Sequence, residues 1–127
     1  MAVMRLSRRL RAERSDETLG LSQMSALASL MHGPLSPTAL AQIERIQPPS
    51  MTRVISALET RGLISREEHE HDKRQSVIAI TEEGRSIIEE DRVKRKVWLV
   101  EIIDMLSDEE RHALREALPI LERITNS

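Results

Sequence analysis

Asp72-Lys73-Arg74-Gln75-Ser76 sets two adjacent cations between two short runs rich in branched apolar residues, Leu63-Ile64-Ser65-Arg66 before it and Val77-Ile78-Ala79-Ile80 after it. Such runs are strand-like, and the span from Glu67 to Gln75 between them is almost wholly charged or polar. The stretch predicts a β-hairpin whose tip faces water or a polyanion. Taken alone, Asp72-Lys73-Arg74 is a solvated charged turn, so its meaning depends on the chain around it.

Upstream, the pattern is helical. Val3, Leu6 and Leu10 recur at helical spacing among arginines, predicting a basic amphipathic helix over residues 3–14. Ser22 is a plausible cap for a helix in which Met24, Leu27, Leu30 and Met31 share a face, with Gly33-Pro34 as the stop. Ser36 caps the next, Pro37 takes its first position, and Leu40 and Ile43 are its expected buried residues up to about Arg45. After a turn at Ile46-Gln47, Pro48 and Pro49 start a helix that reaches Arg61 and closes at Gly62. At 100° per residue Met51, Val54, Ile55 and Leu58 fall on one side, and Pro49, Thr52, Arg53, Ser56 and Thr60 on the other. Small and hydroxylic side chains let a helix sit deep in a DNA major groove, where arginine reads guanine edges.

Downstream, Thr81 caps a long helix with Glu82 and Glu83 at the positive end of its dipole. If it runs to Met105 it spans on the order of 35 Å. Its later part, Val97-Trp98-Leu99-Val100-Glu101-Ile102-Ile103, is apolar on too many sides for one packing partner and predicts a subunit interface. Ser107-x-x-Glu110 is a capping box for the last helix, striped by Leu114, Leu118, Leu121 and Ile124. Pro119 predicts a kink or restart within it.

The chain has 127 residues, 39% hydrophobic and 31% charged, the profile of one soluble domain over residues 1–127. The absence of a transmembrane-length apolar run and of a secretory-signal core predicts a cytoplasmic protein with no membrane partner. There is no cysteine, which excludes disulfides and thiolate chemistry. The formal net charge is −2, yet it is unevenly spread. Arg5, Arg8, Arg9, Arg11 and Arg14 make the first segment basic, while Asp104, Asp108, Glu109, Glu110, Glu116 and Glu122 make the last acidic. Trp98 is the lone aromatic residue, which leaves little for base stacking on single strands.

Other chemistry is sparse. Glu68-His69-Glu70-His71-Asp72 has the composition of a metal site, but at a hairpin tip it reads as solvated, and neither metal nor cofactor is expected. No phosphate loop or nucleophile motif is present, and His32 and His112 stand on helices without an obvious acid partner, so the chain is not expected to be an enzyme. His32 suits a helix C-terminus, Met24 and Met31 a core or pocket lining, and Trp98 a buried position in the core or an interface.

Three groups of residues together resemble the MarR family of bacterial transcriptional regulators. They are Leu35-Ser36-Pro37-Thr38-Ala39-Leu40-Ala41; Thr52-Arg53-Val54-Ile55-x-x-Leu58-Glu59-x-x-Gly62-Leu63-Ile64-x-Arg66; and Asp72-x-Arg74 followed by Ile80-Thr81-x-x-Gly84. The fold this implies is mainly α with a small β-hairpin (α+β). A winged helix-turn-helix DNA-binding lobe would occupy residues 20–84, with dimerisation helices in 1–15 and 85–127. The resemblance further implies a cofactor-free homodimer, a repressor on an inverted repeat in double-stranded DNA. Pro49, Ser50, Thr52, Arg53 and Ser56 would approach the major groove, Ser36 and Thr38 would join the DNA contacts, and Arg74 with Lys73 would serve the minor groove. Asp72, a carboxylate beside phosphates, would orient the wing. A small anionic or aromatic effector is the family's usual ligand, and Arg11 and Met24 would border its pocket. The glycine common in the family's inter-helix turn is replaced by Arg45-Ile46, so that turn must accept a side chain. Two other readings remain open: a winged helix used for protein contacts without DNA binding, and a metal-responsive protein centred on His69 and His71.

Overall fold

Six helices and one hairpin follow in the order α1 Ala2–Ala12, α2 Leu21–Leu30, α3 Pro37–Glu44, α4 Pro48–Thr60, β1 Ile64–Glu68, β2 Ser76–Ile80, α5 Glu82–Asp104 and α6 Asp108–Thr125. The computed structural model describes residues 1–13, 18–68, 71 and 76–127. Asp72, Lys73, Arg74 and His69 lie outside the described residues.

Local chemistry accounts for most boundaries. Ser36 Oγ accepts from the Ala39 N–H at 3.1 Å while Pro37 occupies the first turn of α3. Thr81 Oγ1 accepts from the Gly84 N–H at 3.2 Å, and Ser107 and Glu110 exchange reciprocal bonds at 3.1 and 3.0 Å. These satisfy donors that a helix start leaves without partners. The start of α2 differs from expectation. Its cap is Gly20, whose N–H donates to Gln23 Oε1 at 3.2 Å, and Ser22 lies inside the first turn. Glycine has no side chain to compete for the cap, so the glutamine closes the turn from within.

Two helices end alike with different residues. At the end of α4, Gly62 has φ +72°, and the next N–H, of Leu63, reaches back to Leu58 O at 3.0 Å. At the end of α3, Arg45 takes φ 55° and the Ile46 N–H reaches Ala41 O at 3.0 Å. This closure normally uses glycine, and a side chain in the left-handed region costs roughly 1–2 kcal/mol. Arg45 is the only non-glycine residue with positive φ among those described.

Leu27, Leu30, Leu40, Met51, Ile55, Leu58 and Ile78 are essentially inaccessible and form one core shared by α2, α3, α4 and the hairpin. Ile43, expected inside, is 57% exposed. It shares a face with Leu40, but lies over a shallow groove with Ser29, His32, Gly33, Pro34 and Leu35, where no further element covers it among the described residues. The hairpin is antiparallel, pairing Ile64 with Ile80 through Glu68 with Ser76. Leu35 adds a one-residue third strand, exchanging bonds with Ile78 at 3.0 and 2.7 Å.

The hairpin base, the end of α4 and the start of α5 are tied at one point. Thr81 Oγ1 donates to Gly62 O at 2.7 Å, and the Thr81 N–H donates to Leu63 O at 3.0 Å. A Cβ on Gly84 would lie 2.3 Å from Leu63 O. Only glycine lets α5 cross the strand so closely, which gives the Ile80-Thr81-x-x-Gly84 motif its physical reason.

Outside this lobe, α1 and α6 contain no buried residue. Helix α6 runs through Pro119 without the expected restart. Proline's fixed φ is itself helical, so a missing interior bond need not end an exposed helix. His112 has an acid neighbour after all, Glu116 at 3.7 Å on the next turn, with both side chains exposed. Trp98 is half-buried in the single chain, and the Arg9 guanidinium sits 4.8 Å from its ring centroid.

Candidate nucleic-acid interface

Helix α4 divides its faces as the 3.6-residue period dictates. Met51, Ile55 and Leu58 are buried and Val54 is half-buried, whereas Pro49, Ser50, Thr52, Arg53, Ser56 and Thr60 are all exposed. Thr52 Oγ1 donates to Pro48 O at 3.0 Å. Its proton is thereby held by its own helix, leaving oxygen lone pairs outward to accept from a base edge. Arg53 makes no ion pair among the described residues, so its five donors are available for a partner.

Ser36 and Thr38 sit at the start of α3, half-buried and exposed respectively. The Ser36 oxygen is engaged as an acceptor by the cap, but its hydroxyl proton can still donate. Several N–H groups converge at this helix start, an arrangement that suits phosphate.

Accessibility rises along β1 from buried Ile64 to exposed Arg66, Glu67 and Glu68, so the hairpin leaves the lobe as it lengthens. Arg66 Nε lies 3.1 Å from both carboxylate oxygens of Glu59 on α4, fastening the hairpin root to the helix beside it. Lys73, Arg74 and Asp72 fall outside the described residues.

On the other side of the lobe, α1, α2, α5 and the α3–α4 turn enclose a cleft of about 800 Å³. Arg11 and Met24 both line it. Its walls combine apolar residues such as Leu6, Leu10 and Ile88 with Arg11, Arg92 and Arg95. Of its two carboxylates, Asp91 is 1% exposed and bonded to Arg95 Nη2 at 2.9 Å, while Glu44 accepts from Ser25 and Ser29 at 2.6 and 2.5 Å. Asp91 is thus paired with Arg95, Arg92 lies 3.5 Å from Glu89, and Glu44 keeps its charge while two hydroxyls solvate it, so the cleft presents both cations and a carboxylate. The volume suits a small molecule.

Among the described residues no group of His, Asp and Glu could hold a metal, although His69 and Asp72 of the suspected cluster are not among them. No helix of the described residues is long and apolar enough to cross a membrane. Sequence reasoning missed the Glu59–Arg66 tie, the serine pair on Glu44 and the Leu35 bridge. Glu44 did carry a local signal: a carboxylate at a helix C-terminus opposes the dipole and needs a partner elsewhere.

The MarR family model matches residues 19–76. HTH-type transcriptional regulator ML2140 of Mycobacterium leprae is 43% identical over 129 residues, spanning 100% of this chain and 90% of the relative. HTH-type transcriptional repressor MdtR of Bacillus subtilis is 31% identical over 90 residues, 70% of this chain and 58% of the repressor. A MarR family protein from Bacillus stearothermophilus superposes with a TM-score of 0.85 at 26% identity, covering 99% of this chain and 89% of that one. With the helix-turn-helix, the emerging hairpin and the unburied flanking helices, these likenesses make the chain a member of the MarR family, a DNA-binding transcriptional regulator rather than an enzyme.

Proposed function

We propose that this regulator acts as a cytoplasmic homodimeric repressor on an inverted repeat. The observation that carries the reading is the α4 face of Pro49, Ser50, Thr52, Arg53 and Ser56, exposed beside a hairpin that leaves the lobe next to it. In this reading α4 enters the major groove, Ser36 and Thr38 meet the phosphates beside it, and Arg74 with Lys73 follows the minor groove. Asp72 orients the wing. The lobe spans residues 20–84, and residues 1–15 and 85–127 pair two copies so that their α4 helices lie about one DNA turn apart, roughly 10 bp. The exposed apolar residues Leu114, Leu118, Leu121 and Ile124 on α6 support that pairing. The cleft bordered by Arg11 and Met24 takes a small anion with an apolar body, and binding there favours a lobe spacing that mismatches the operator.

The test is a mobility-shift titration on the DNA upstream of the protein's own operon, repeated over a salt series. Steep salt dependence with sequence preference supports the reading; equal affinity for unrelated DNA removes the operator. Arg74→Ala is expected to lose most operator binding while the dimer persists, and unchanged affinity would take the wing out of the mechanism. Arg53→Ala should cost about 1–3 kcal/mol and relax preference at one base pair. A uniform loss over all sequences would make Arg53 a phosphate contact instead.

A further inference from the structure

Glu44 joins three things that are otherwise separate. Ser25 and Ser29, one turn apart on α2, donate to its Oε2 and Oε1 at 2.6 and 2.5 Å. Its neighbour Arg45 holds the left-handed turn that launches the next helix. Ser25, Glu44 and Ile46 also line the cleft. Both local choices here are unfavourable in isolation. A carboxylate at the end of α3 faces the negative end of the helix dipole, and a side chain at φ 55° is strained. Conflicts between local preference and the native conformation concentrate where function needs them. The two serines offset the first conflict by supplying donors, and in doing so they pin the end of α3 to α2, which holds the strained turn shut.

We propose that the Ser25/Ser29–Glu44 clamp is the positioning element that sets α4 and the element through which an occupant of the cleft reaches it. A body entering this end of the cleft contacts Ser25 and Glu44 directly. Displacing either loosens the turn at Arg45-Ile46 and changes the angle at which α4 is presented. The inference rests on α4 being the DNA-reading helix.

Because the chain has no cysteine, Ser25→Cys gives a single thiol that benzyl methanethiosulfonate can label, placing an apolar body in the cleft without knowledge of the natural ligand. Affinity is measured for a duplex that the wild-type protein selects from a random library. Unlabelled S25C is the reference for the labelled form, which is expected to bind at least tenfold more weakly than it, with unchanged dimer mass and melting temperature. Ser25→Ala with Ser29→Ala should also bind at least tenfold more weakly and exchange the Ile46 amide faster, with the Leu27 amide unchanged. Adding Arg45→Gly, which relieves the strain the clamp restrains, should restore binding to within threefold. Equal affinity of labelled and unlabelled S25C, wild-type affinity of the double alanine variant, no recovery with Arg45→Gly, or a loss that tracks dimer mass or melting would each overturn the proposal. Should the double alanine variant fail to fold, the S25C pair still decides. Arg53→Ala on the same duplex separates the underlying reading: no loss there removes the reading of α4 and this inference with it, whereas loss there with none in the clamp variants removes the inference alone.

Discussion

The lobe and its flanking helices are built on opposite terms. Among the described residues, every buried position except Ile88 and Asp91 lies between Leu19 and Gly84. By contrast α1 and α6 bury nothing, and Val3, Leu6, Leu118 and Ile124 are 51–73% exposed. Both regions carry regular apolar stripes. In the lobe the stripes of α2, α3 and α4 face one another and close a core, while that of α1 lines the open cleft and that of α6 is exposed. An exposed apolar stripe of that size marks a contact surface. The difference teaches that half of the chain closes its own core while the other half leaves apolar residues accessible, which under the proposed function a second copy covers.

The comparison breaks most sharply at Gly84, where the lobe meets α5. Gly84→Ala would drive a methyl group into Leu63 O, 2.3 Å from the ideal Cβ, and into Ile80 Cγ1 at 2.9 Å. Backbone cannot give way as a side-chain tip can, so the cost should be about 3 kcal/mol or more, at the upper end for overpacking. Chemical denaturation of the variant measures it. A loss under about 1 kcal/mol would mean that α5 does not cross the strand this closely, and that the lobe ends before Thr81.

A complementary change should leave the lobe intact. Leu118→Glu with Leu121→Glu places two charges on the exposed α6 stripe, and burying either at an interface costs about 2 kcal/mol or more. Sedimentation should show a dimer dissociating at concentrations where the wild type stays paired. The core amides of Leu27 and Ile55 should keep their exchange protection. Loss of that protection along with the dimer would show the lobe to be incomplete on its own, and would erase the contrast drawn here.

How much of this could be read in the residues follows the same divide. Caps and stops are local chemistry, so Ser36-Pro37, Thr81, the Ser107-x-x-Glu110 box and Gly62 were legible, and the faces of α4 followed from periodicity. Ile43 was misjudged because periodicity says which residues share a face and not which neighbour covers it. Gly20 was missed because a cap whose bond comes from Gln23 leaves no mark at the cap itself. The restart expected as one outcome at Pro119 does not occur, since the penalty that breaks a packed helix is smaller where nothing forces the surrounding chain. In the candidate site, the exposed face of α4 was visible in advance, while the Glu59–Arg66 tie and the clamp on Glu44 join residues from different elements. Ser29 and Glu44 come together only after α2 and α3 pack, and no spacing rule anticipates that.

The smallest expected effect isolates the start of α6, the end of the chain least supported by the lobe. Glu110 has its carboxyl held below the ordinary glutamate value, first because the Ser107 backbone N–H donates to it and second through the Ser107 side chain. A depressed folded-state pKa means that the ionised form favours the folded cap. The contribution is therefore complete above the ordinary carboxylate pKa and is lost as pH falls through the lowered one. Glu110 is fully exposed, so the change should be too small to move the melting of the lobe and should appear only as fraying of the first turn of α6. An NMR titration following the Glu110 side chain and the Ser107 amide would detect it. Ser107→Ala should raise the Glu110 pKa only part of the way, because the larger cause, a backbone donor, survives the substitution. Titration of wild-type Glu110 at the ordinary value would mean the box is open in solution, while movement of core amides over the same pH range would couple this helix end to the lobe and narrow the distance between the two halves.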